Sequence, residues 1–183
     1  MTAISPTVPP AEFPDSALVP PVFLDFEASS LDLIQSYPIE VGICDALGNI
    51  CSWLIAPAPL WNEWSAEAEQ VHGISREELT LQGVNAQEVV EALNTRLNGL
   101  TVYCDAWTYD CFWLHRLYRA CKTTPTFELE SISTLLTPRQ VSAWPLVRQQ
   151  VIESLDVPTH RAANDARILY EVWKRLVSQP ASN

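Results

Sequence analysis

From Val22 to Glu27 the chain alternates, with Val22, Leu24 and Phe26 on one side of an extended segment and Asp25 and Glu27 together on the other. Ile39 to Asp45 and Ile50 to Ile55 read as two further strands, and the Ala46-Leu47-Gly48-Asn49 turn signal between them predicts an antiparallel hairpin. The period then changes to that of helices. Ser65 precedes a short helix reaching about Val71, and Ser75 with Glu78 three residues on forms a capping box that starts another. Asn85 and Glu88 repeat the signal, Val89, Leu93 and Leu97 give that helix its apolar face, and Gly99 ends it. Leu100 to Cys104 reads as a buried strand. A helix from about Tyr109 to Cys121 follows, with Trp113, Leu117 and Ala120 on one face, and Phe127 to Leu129 is a candidate fifth strand. Thr137 as N-cap, Pro138 at N1 and Gln140 at N3 predict a helix to about Glu153. The last helix runs from near Thr159 or His160 to about Val177, along the stripe Ala162, Ala166, Leu169, Trp173 and Leu176.

Three strands followed by alternating helices and strands imply an α/β domain with a mixed sheet, an antiparallel hairpin continued by strands joined through helices. Sites in such sheets gather at the carboxyl ends of parallel strands. Asp25 and Glu27 fall at the end of the first strand, and Asp110 just past the fourth. The domain is expected over 22–178. Residues 1–21, with six of the fourteen prolines, and 179–183 read as tails.

A chain of 183 residues with 48% hydrophobic content suits one globular domain. No apolar run approaches the roughly 20 residues of a membrane helix, and the N-terminus lacks a basic, apolar leader. The five cysteines form no C-x-x-C pair, which argues against a zinc site and fits reduced thiols in the cytoplasm. The net charge of −11 is uneven: residues 1–75 hold ten acidic side chains and no Lys or Arg. Long duplex DNA is gripped through many phosphates by basic surfaces, so a nucleic-acid role here implies contact with only a few nucleotides.

Asp165 lies on the apolar stripe of the last helix, where an ionised carboxylate is costly unless it is paired or binds a cation. Any one such acid is commonly a buried ion pair or a helix-start acid favoured by the macrodipole. Four acids at element ends, with His160 five residues before the last, form a more specific set.

That set resembles the three motifs of the DEDDh 3′–5′ exonucleases, a ribonuclease H-like group that includes proofreading exonucleases, RNase T and oligoribonuclease. Asp25-Phe26-Glu27 matches D-x-E, Tyr109-Asp110 matches the aromatic-Asp pair, and His160, Ala162 and Asp165 match H-x-A-x-x-D. Val71 to Ser75 resembles a further segment often found between the first two motifs, and the likeness spans about residues 22–177. It implies a five-stranded ribonuclease H-like sheet and two Mg²⁺ or Mn²⁺ ions. Asp25, Glu27 and Asp165 would hold one ion, with Asp25 and Asp110 serving the second. His160 would be the general base, and nucleoside 5′-monophosphates would leave single-stranded or short RNA or DNA 3′ ends. Ala28-Ser29-Ser30-Leu31 stands where the family continues T-T-G-L, with Ala28, Ser29 and Leu31 expected to touch substrate, and Asp105-Ala106-Trp107 stands where H-N-A is usual. Further substrate contacts are expected at His72, Trp107 and Arg161, with Arg116, Arg119 and Lys122 as an electrostatic path and His115 as a surface residue. A non-catalytic nucleic-acid- or protein-binding module on the same fold is the alternative. Oligomeric state is open, a homodimer included.

Overall fold

The computed structural model describes residues 20–178, so the expected tails lie outside it apart from Pro20 and Pro21. Strands β1 (Val22–Ala28), β2 (Pro38–Cys44), β3 (Ile50–Leu54), β4 (Thr101–Cys104) and β5 (Glu128–Ser131) form one sheet in the order β3-β2-β1-β4-β5. The expected hairpin is present: β1–β2 and β2–β3 are antiparallel, whereas β1–β4 and β4–β5 are parallel. Helices α1 (Ala66–His72), α2 (Arg76–Gln82), α3 (Ala86–Leu97), α4 (Trp107–Ala120), α5 (Pro138–Leu155) and α6 (Ala162–Ser178) flank it.

The alternation in β1 separates two cores. Leu24, Phe26 and Ala28 pack with Val89, Leu93 and Leu97 of α3 and Trp113, Leu114 and Leu117 of α4. Phe23, on the side shared with the two acids, packs instead against Ala166, Leu169, Tyr170 and Trp173 of α6. Helix α5 lies against α6, where Val147 and Val151 meet Ile168, Val172 and Leu176. Helix α6 therefore has packed neighbours in both the sheet and α5, which fixes its first turn.

That turn also meets β2 at close range. A Cβ at Gly42 would lie 2.2 Å from the carbonyl carbon of Ala162 and 2.2 Å from the amide nitrogen of Ala163, so only glycine lets the two backbones touch. We expect Gly42→Ala to destabilise the protein by roughly 1–3 kcal/mol, the usual range for overpacking, read as a lower urea midpoint. An unchanged midpoint would mean that the start of α6 gives way freely.

Most element ends fall within a residue of expectation, and the larger or more informative differences are these. Helix α4 starts at Trp107, ahead of Tyr109, although its N-cap residue Ala106 makes no side-chain cap bond. Strand β5 starts at Glu128, because its ladder pairs Thr101 with Glu128 through Cys104 with Ser131, while Phe127 packs edge-on against Tyr118. Helix α5 has the expected Thr137–Gln140 capping box, tolerates Pro145 and ends at left-handed Asp156. Helix α6 starts at Ala162, later than Thr159 or His160, because His160 is left-handed at φ +60° and cannot belong to it. All five cysteines are free, with Cys44 and Cys104 buried and the others half-buried. Among the described residues no helix is long and apolar enough to cross a membrane.

Candidate active site

A cleft of about 530 Å³ opens where β1 and β4 end, and the acidic side chains converge on it. Strand β1 contributes Asp25 and Glu27 from one face. The loop after β4 contributes Asp105, the first turn of α4 Asp110, and the first turn of α6 Asp165. Two groups result, each with its ligand atoms within 4.8 Å of one another: Glu27, His160 and Asp165, and Asp25, Asp105 and Asp110.

Asp165 is oriented by its own helix start. Its Oδ2 accepts from the amides of His160 (2.6 Å) and Arg161 (3.2 Å), two donors that precede the helix. Its Oδ1 is buried without a hydrogen-bond partner, as is Oδ2 of Asp110. Unsatisfied buried carboxylate oxygens are costly, and both belong to the clustered acids.

The electrostatics agree. Burial, followed by the charges of Asp110, Asp165, Glu27 and Asp105, pushes the Asp25 carboxyl well above its usual range. Burial and the neighbouring Asp165 and Glu40 raise Glu27 to about 8. Burial and Asp105 raise Asp110 to about 8. Asp165 is raised by burial, against the lowering effect of the His160 amide and of Arg148. A cluster of oxygen donors that resist ionisation together fits a hard divalent cation, which would neutralise them and satisfy the orphaned oxygens.

The raised values give a stability test. Glu27 rises from 4.5 to about 8 and Asp110 from 3.8 to about 8 on folding, so the protonated forms favour the folded state. Their contribution is complete below the unfolded values and is lost as pH rises to about 8. In EDTA the urea midpoint should therefore fall between pH 5 and pH 8, and Mn²⁺ should restore it at pH 8. A midpoint in EDTA that stays level, or an absence of rescue, would contradict this electrostatic picture.

Of the residues expected from sequence, the cleft brings together Asp25, Glu27, Ala28, Leu31, His72, Asp110, His160 and Asp165. Three stand elsewhere. Arg161 turns away to Glu40, with Nε and Nη2 each 3.1 Å from a carboxylate oxygen, because that buried acid in β2 requires a counterion. Ser29 is buried in structural bonds, donating to Glu63 and accepting from the Tyr37 amide. Trp107 donates its indole N–H to the Leu129 carbonyl of β5 and does not line the cleft, whereas Tyr109 and Trp113 do. The Arg116 guanidinium is bound to the carbonyls of Ile34 and Gln35, and His115 is exposed, as expected.

His72 is buried at the cleft wall. Its Nδ1 accepts from the Ile74 amide, which places the ring proton on Nε2, and that atom has no partner. Burial lowers its pKa, which favours this neutral form.

Asp105, Arg148 and Glu40 lie at or beside the site without belonging to any of the three motifs. Glu40 left a signal, an acid within the otherwise apolar run from Ile39 to Cys44. Asp105 was visible only as a departure from the family pattern. Arg148 left none, since α5 carries no motif.

Neither family models nor curated proteins match the chain. Solved structures do. A zinc-bound complex of E. coli exonuclease I with single-stranded DNA superposes with TM-score 0.67 at 12% identity, covering 87% of this chain and 41% of that one. Exonuclease I of Methylocaldum szegediense gives TM-score 0.60 at 18% identity, with 87% and 41% covered. E. coli exonuclease I with a dA16 oligonucleotide gives 0.65 at 12%, with 85% and 40% covered. The chain has the exonuclease, ribonuclease H-like fold. It spans about two-fifths of the length of these exonucleases.

Proposed function

We propose that the chain is a metal-dependent 3′–5′ exonuclease of the DEDDh group that releases nucleoside 5′-monophosphates from single-stranded or short nucleic acid. The observation that carries this reading is the convergence of Asp25, Glu27, Asp110, His160 and Asp165 on one cleft of an exonuclease-type fold. Asp25, Glu27 and Asp165 would hold one Mg²⁺ or Mn²⁺, and Asp25 with Asp110, now joined by Asp105, would hold the second. Bound ions would supply the charge that stabilises the attacking and leaving oxygens of an in-line displacement.

His160 serves as general base. Its imidazole is exposed at the cleft, within the same 4.8 Å group as Glu27 and Asp165, and takes a proton from the attacking water. Tyr109 provides a ring face for a terminal base, and Leu31 and Val71 form apolar lips. Five free thiols suit the reducing cytoplasm.

The test is hydrolysis of a 5′-labelled single-stranded oligonucleotide with Mg²⁺ or Mn²⁺. Stepwise shortening from the 3′ end with release of mononucleotides, stopped by EDTA, is expected. Binding without hydrolysis would make the chain a non-catalytic binding module, and neither binding nor hydrolysis would remove the nucleic-acid reading altogether.

A further inference from the structure

The cleft is strongly acidic, yet its proposed substrate is a polyanion. Among the described residues that line it, Arg148 is the one Lys or Arg. Its neighbour Val147 is buried against α6, which anchors that turn of α5 and leaves the Arg148 side chain one-third exposed at the cleft. The guanidinium lies between the two carboxylate groups. Nε is 4.0 Å from Oδ2 of Asp105, and Nη2 is 3.8 Å from Oδ1 of Asp165.

Both distances exceed hydrogen-bond length, so charge holds the guanidinium there without committing its N–H groups to either acid. Three other arginines are committed away from the cleft lining. Arg161 is bidentate to Glu40, Arg116 donates to two carbonyls, and Arg76 donates to the carbonyls of Trp61 and Asn62. Asp105 and Asp165 each belong to one of the two clusters that fit a divalent ion, so ion binding would remove both of the acids that now face Arg148.

We propose that Arg148 is the phosphate-binding residue of the cleft, a role the sequence suggested for Arg161. In the loaded site the guanidinium gives up its two long carboxylate contacts and pairs with non-bridging oxygens of a substrate phosphodiester, for which its planar fork is suited. In the ion-free protein the same side chain partly neutralises the acids. The inference rests on the nuclease reading above.

The experiment compares wild type, Arg148→Ala and Arg148→Lys, using a fluorescein-labelled oligothymidylate in Ca²⁺ by anisotropy and Mn²⁺ binding by electron paramagnetic resonance. Arg148→Ala should weaken oligonucleotide binding roughly 10- to 100-fold, the scale of a hydrogen bond to a charged group. It should also flatten log K against log[salt] by about 0.7. Its Mn²⁺ affinity should be unchanged or higher, because a competing cation has gone. Arg148→Lys should recover part of the binding, keeping the charge without the fork. Wild-type oligonucleotide affinity in Arg148→Ala, or weakened Mn²⁺ binding with unaltered oligonucleotide binding, would overturn the proposal and leave Arg148 a structural counterion. If the wild type itself neither binds nor hydrolyses the oligonucleotide, the nuclease reading fails first and this inference falls with it.

Discussion

Asp25→Ala and Asp165→Ala should each reduce oligonucleotide hydrolysis to background while the protein stays folded. Their effects on the ion-free fold should differ. The carboxyl of Asp25 is raised by burial and by four neighbouring acids, so its removal relieves that repulsion and the cost of burying its charge. Asp25→Ala should therefore raise the urea midpoint in EDTA at pH 8. Asp165 is also raised, but its Oδ2 accepts the amides of His160 and Arg161 ahead of α6. Asp165→Ala removes those bonds along with the charge, so it should be less stable than Asp25→Ala at the same pH. Near-normal activity in either variant would refute the site, and equal midpoints would show that the bonds before α6 contribute nothing measurable.

His160 should show the second large effect. If it is the general base, its loss should lower kcat by roughly 10²–10⁴-fold, the usual contribution of a positioned proton acceptor. Asparagine is the better replacement, because His160 has φ +60° and asparagine tolerates that region where alanine adds strain. His160→Asn should leave Mn²⁺ affinity near that of the wild type. A parallel loss of Mn²⁺ binding would instead make His160 a ligand, an outcome its place beside Glu27 and Asp165 makes worth measuring.

The sheet could be read from the sequence because its rules are local. Alternation in β1 assigns Phe26 and Asp25 to opposite faces, and the Gly48–Asn49 turn joins antiparallel neighbours. The five candidate residues were legible as motifs, the last of them because the spacing of His160, Ala162 and Asp165 follows from one helix start. The pairing of Arg161 with Glu40 was not legible, because Glu40 lies 121 residues away in the sequence. Arg148 was invisible for the same reason. Its position depends on how α5 packs on α6, and helix packing carries no short-range signature. The orientation of Trp107 was not legible because its partner is a carbonyl of the following strand.

The 2.6 Å bond from the His160 amide to Asp165 ties the imidazole-bearing residue to a carboxylate whose other oxygen is unpaired. A shift of that carboxylate by a few tenths of an ångström would carry His160 with it. Oxygen ligands sit at about 2.0–2.1 Å from Mg²⁺ and about 2.3–2.6 Å from Ca²⁺. In the proposed nuclease this linkage would make the alignment of the imidazole sensitive to the radius of the bound ion. Calcium would then fill the cleft and retain the oligonucleotide while holding the base out of line, so discrimination between the two ions would be exercised in turnover rather than in affinity.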